Sequence, residues 1–106
     1  MLEVEHVALE VIGALRPLMP RIARHDRALD TQLRRAASSV VLNVCEGAHS
    51  DPGNRRVRFH SAAGSANESR GALRVAVQWG YVSDAQARPV LELLDRAVAM
   101  LWKLTH

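Results

Sequence analysis

The chain has 106 residues, enough for one core and not two. Hydrophobic residues are 48% and charged residues 24%, which excludes a disordered chain. Aromatics at 4%, four prolines and six glycines argue against a small β-sandwich or barrel, the lone cysteine excludes a disulfide framework or a cysteine-rich zinc site, and the net charge is +3.

The first predicted helix starts near Leu2. Val4, Val7, Ala8, Val11, Leu15, Leu18 and Ile22 recur at steps of three and four and share one apolar face. Pro17 and Pro20 fall inside the pattern, so a kink or break is expected there. Arg21, Arg24 and Arg27 follow it on one side.

The second helix runs from about Ala28 or Asp30 to about His49, with Asp26 and Asp30 as candidate N-caps. Leu29, Leu33, Ala37, Val40 and Val44 form its core stripe, and Gln32, Ser39, Asn43 and Glu46 a polar stripe beside it. Around Val40-Val41-Leu42-Asn43-Val44-Cys45 the apolar residues nearly encircle the axis. A helix apolar all round must be covered all round, so Val41, Leu42 and Cys45 are expected at a contact with another copy.

Ser50 to Asn54 reads as a loop. The third helix starts between Pro52 and Arg55 and stops before Gly80, a good residue to end a helix. Val57, Ser61, Gly64, Glu68, Gly71 and Val75 share a face. Two mid-helix glycines cost about 1 kcal/mol each against alanine, which predicts a neighbouring helix close to that face. The fourth helix opens on a capping box, Ser83 and Gln86. Leu91, Leu94, Val98, Leu101 and Thr105 make its stripe, with Ala87, Val90, Ala97 and Leu104 alongside and a local distortion expected at Pro89. The expected fold is all-α: residues 1–106 as a single antiparallel up-down four-helix bundle.

Two blocks carry a resemblance. Gln32-Leu33-Arg34-Arg35-Ala36-Ala37-Ser38-Ser39-Val40 followed by Asn43-Val44-Cys45-Glu46-Gly47 is the first, and Ala62-x-Gly64-Ser65-x-x-Glu68 the second. With Gly80-Tyr81 and the capped last helix, they resemble the small four-helix-bundle proteins encoded in intervening sequences of bacterial large-subunit ribosomal RNA genes. The similarity spans about residues 30–104. Val41-Leu42 stand where that family often has Pro-Ser, and Cys45 where it has Ala. The loop Ser50 to Asn54 is less basic than usual. The resemblance implies a homo-oligomer, typically a pentameric ring, with no established enzymatic activity. A related basic protein, the accessory variability determinant of diversity-generating retroelements, binds nucleic acid and a reverse transcriptase.

Asn43, Glu46, Ser65 and Glu68 match the family blocks. They are expected to form a buried polar network that sets helix register, rather than an acid–base site, because no nucleophile stands nearby. Cys45 is expected to be a small buried residue, its thiolate disfavoured by burial and by Glu46. A metal site is the alternative: Glu3-x-x-His6 and Glu46-x-x-His49 have di-iron spacing, and Glu10, Glu68 and Glu92 are further carboxylates.

Residues 16–74 hold eleven arginines against five acids, a local net charge of +6. Arg56, His60, Asn67, Arg70 and Arg74 fall along one face of the third helix, and Arg55 and Arg58 extend the cluster. Repeated in a ring, Arg55, Arg56, Arg58, Arg70 and Arg74 would attract RNA or DNA by counterion release. Trp79 and Trp102 are expected as core or interface anchors, so no stacking platform is foreseen and binding should be weakly sequence-specific. The expectation is a non-enzymatic oligomeric scaffold without cofactors, its partners being itself and RNA or DNA. A protein–protein module is the other alternative. No segment reaches about 18 apolar residues and the N-terminus is not a secretory signal, so no membrane and a cytoplasmic setting are expected.

Overall fold

Pro17 and Pro20 break the first predicted helix in two. The computed structural model describes residues 1–106 as five helices and no strand: α1 Glu3–Leu15, α2 Met19–His25, α3 Arg27–Ala48, α4 Pro52–Gln78 and α5 Asp84–Thr105. Five helices thus replace the four expected. Pro20 falls in the first turn of α2, where its missing N–H has no intrahelical partner to lose. The apolar stripe survives the break, and every member from Val4 to Ile22 is buried. No helix is long and apolar enough to cross a membrane.

The corners are built by side-chain caps. Asp26 ends α2 and starts α3, accepting a hydrogen bond from the Leu29 N–H at 3.0 Å. Its other oxygen accepts from the Tyr81 hydroxyl at 3.3 Å, and His25 stacks flat on Tyr81 with ring centres 5.2 Å apart. Asp51 caps α4 through the Asn54 N–H. Gly80 closes α4 at φ +82°, with Tyr81 N–H bonded to Ala76 O and Gly80 N–H to Val77 O, a Schellman pair. The Ser83–Gln86 capping box forms as expected, and α5 runs through Pro89 without a stop.

Two registers describe the packing. Ser65 bonds Ser39 and Arg58 pairs with Glu46, so α4 runs antiparallel to α3. Arg70 pairs with Asp95 and His60 meets His106, so α5 runs antiparallel to α4. α1 closes the cycle against α5 and α3. The 27 residues of α4 span about 40 Å, matching the long dimension of 42 Å.

The sequence reading misplaced the inner face of α4. Its core line is Phe59, Ala62, Ala66, Ser69, Leu73 and Ala76, all buried. The face of Val57, Ser61, Gly64, Glu68, Gly71 and Val75 is turned outward. A Cβ added at Gly64 or Gly71 would meet nothing within 4 Å. The physical reason is the ring of Phe59: burying the largest apolar side chain of α4 outweighs tucking away glycines that have no apolar surface to hide. The glycine that packing does require is Gly47 of α3. A Cβ there would stand 2.7 Å from Phe59 Cε1.

Candidate functional site

The polar network expected at the family blocks divides into two parts. Ser39 is the hub of the first. The Asn43 amide donates to Ser39 O at 2.9 Å and Ser39 Oγ at 3.0 Å, and the Ser65 hydroxyl donates to Ser39 Oγ at 2.9 Å. Fully buried Ser69 continues the seam by donating to Ser65 O. Every buried side-chain polar atom has a partner. Ser69 was missed at the sequence level because a serine among alanines carries no periodic signal.

The carboxylates lie outside this seam. Glu46 sits at the surface, 3.0 Å from Arg58 Nη1. Glu68 is exposed and lines a shallow depression with Gln32 and Arg35. The register that faces Glu46 with Arg58 leaves Glu68 ten residues further along α4, about 15 Å away. Two carboxylates so separated share no proton, and the arrangement offers no acid–base pair. No three of the His, Cys, Asp and Glu side chains come together as metal ligands. The residues weighed for a di-iron site, Glu3, His6, Glu10, Glu46, His49, Glu68 and Glu92, are all exposed.

Cys45 is half-buried, and its thiol donates to Glu5 Oε2 at 3.4 Å. The carboxylate beside it is thus Glu5 of α1, not the adjacent Glu46. Burial first, then the hydrogen bond and charge of Glu5, push this thiol above its ordinary range. Alkylation by iodoacetamide near pH 8 should be slower than for free cysteine, and Glu5→Gln should accelerate it by freeing thiolate. An unchanged rate in Glu5→Gln contradicts the assignment.

The five arginines singled out do not form one cluster: Arg56, Arg70 and Arg74 share one side of α4, and the others turn away from it. Arg58 turns toward α3 and Glu46. Arg55 lies over the Phe59 ring, 5.2 Å from its centre. Arg70 faces α5, 2.7 Å from Asp95 and bonded to Asn67. Arg56 and Arg74 are exposed and hold no salt bridge.

Both tryptophans are surface residues of the chain, which removes the core half of the expectation of core or interface anchors. Trp102 is 60% exposed and Trp79 69%. The buried line of α5 is Ala87, Val90, Leu94, Ala97, Leu101 and Thr105. Trp102, one step past Leu101, is swung a quarter-turn out onto the α4 side. His106 stacks on its indole at 4.3 Å, nearly parallel, and His60 meets His106 edge-on. An aromatic platform exists where none was foreseen.

Of the residues proposed for contact with another copy, Leu42 points outward, 64% exposed. Val41 packs against the core and Cys45 against Glu5, both half-buried. The outer face of α4 adds Val57 at 61% and Val75 at 43% exposure.

The molecule is all-helical, with exposed arginines on α4. The chain belongs to the 23S rRNA-intervening sequence protein family, whose family model matches residues 5–103. A crystal structure at 1.70 Å of a protein of unknown function from the S23 ribosomal protein family of Bacteroides thetaiotaomicron VPI-5482 has the same fold, with a TM-score of 0.88. The two are 16% identical, over 96% of this chain and 97% of that one. No curated protein matches. At that identity the likeness concerns fold and not function.

Proposed function

We propose that this chain is a non-catalytic subunit of a homo-oligomer of antiparallel four-helix bundles, and that the assembly holds RNA or DNA on its repeated arginines. In this reading α1 and α2 together make the first helix of the bundle. The observation that carries it is exposed apolar surface on α3 and α4: Leu42 on α3, and on α4 Val57 and Val75 at the ends of an outward line with Ser61, Gly64, Glu68 and Gly71 between them. Within one chain those glycines have no purpose, since alanine would fit and favour the helix by about 1 kcal/mol each. A second copy gives them one, because a backbone without side chains permits close approach. The ring of five rests on the family resemblance alone. The cytoplasm is the setting, where the free thiol of Cys45 stays reduced.

Nucleic acid follows from the excess of arginine over acid, multiplied by the subunit number. Binding of labelled RNA and DNA of mixed sequence should weaken steeply between about 50 and about 200 mM salt. The pair Arg56→Ala and Arg74→Ala should flatten that salt slope with little change in sequence preference. Absence of binding at low salt contradicts the nucleic-acid half of this reading.

A further inference from the structure

We propose that the exposed indole of Trp102, on the α5 surface beside the α4/α5 depression, is a stacking site for an unpaired base, so that the nucleic acid held here is single-stranded. The proposal rests on the nucleic-acid reading above and specifies which nucleic acid. Exposure and neighbours of the indole carry it. Trp102 leaves more than half its surface open; His106 stacks on one face of the indole and His60 meets His106 edge-on, so a base would take the other face. Arg56 and His106 line one shallow depression. On α4 the same side continues through exposed Asn67 to Arg70 and Arg74, about 27 Å from Arg56. Arg88, seven residues before Asp95, adds a cation from α5. Arg70 and Asp95 neutralise each other, which leaves Arg56, Arg74 and Arg88 as exposed cations, with Asp84 and Glu92 as exposed acids on α5.

A ring beside a line of cations suits one kind of polymer. A single strand offers phosphates to the arginines and base faces to the indole together. A duplex offers the phosphates, but its bases reach an indole only after being unstacked and flipped, at a cost in energy. The depression beside the indole, lined by Arg55, Arg56 and His106, is shallow and encloses no small molecule. Stacking of one base on one aromatic ring is worth about tenfold to a hundredfold in affinity.

The test uses the full chain with oligouridine, oligothymidine and a duplex of equal length. In a Trp79→Phe background, oligouridine should quench Trp102 fluorescence. Trp102→Ala should weaken single-strand binding about tenfold or more, leave duplex binding and the salt slope unchanged, and be rescued largely by Trp102→Phe. Equal effects on the two oligomers assign the site to single strands generally; a loss confined to oligouridine assigns it to RNA. If the wild type binds and Trp102→Ala binds single strands equally well, the stacking site is wrong while the nucleic-acid reading stands. If the wild type binds no probe at low salt, both fail. If Trp102→Ala alters the mass of the assembly by light scattering, the tryptophan is a subunit contact and the proposal is overturned.

Discussion

Phe59→Ala should lower the unfolding free energy by about 3–5 kcal/mol, seen as a fall in the urea midpoint at constant m-value. The ring belongs to a buried cluster drawn from four helices. Val4 and Val7 come from α1, Val44 from α3, Ala62 from α4 itself, and Ala97 and Leu101 from α5. Most of these neighbours are small or β-branched and cannot swing into the vacated space, so a cavity remains. Against a total of about 5–15 kcal/mol, the loss is large enough to leave a marginal fold. Gly47 should be coupled to the same ring. Gly47→Ala should cost about 1–3 kcal/mol in the wild type, because the added methyl overlaps Phe59, and much less in a Phe59→Leu background. Equal costs in the two backgrounds would mean that the ring is not what Gly47 makes room for.

Leu42→Glu should dissociate the assembly while leaving the chain helical. Burying one leucine at a contact contributes about 1.5–3 kcal/mol, and an unpaired carboxylate in its place opposes contact further. The loss recurs at each interface of a ring. Leu42 contributes nothing to the core of its own chain, so far-UV circular dichroism should keep its helical signal. A variant that keeps the wild-type mass places the subunit contact elsewhere.

These two residues mark how far the chain could be read without coordinates. Apolar spacing identified the inward stripe from Val4 to Ile22 and that from Leu29 to Val44, because an amphipathic helix has one solution for its greasy side. Capping at Ser83 and the glycine stop at Gly80 were legible for the same local reason. The α4 faces were not. Alanine and glycine are both small, and only the ring of Phe59 decides which small face turns inward. Register between helices is also absent from local pattern. Glu46 and Glu68 stand on matching family blocks, yet antiparallel packing holds them apart and joins Asn43 to Ser65 through Ser39. For Trp102 size and hydrophobicity left core and interface both open, and only the helix register shows that one step past Leu101 turns the side chain from core to flank.

Family membership places this chain among proteins named for a 23S rRNA intervening sequence, not for a reaction. What the molecule does must therefore be read from its surfaces, and the exposed apolar residues of α3 and α4 come first among them. Size-exclusion chromatography with light scattering on the wild-type protein tests them directly. A mass several times 11.7 kDa, fivefold for a pentameric ring, is the expected result. A species of 11.7 kDa that persists as concentration rises contradicts the account, since Leu42, Val57 and Val75 would then stand in water with nothing to cover them.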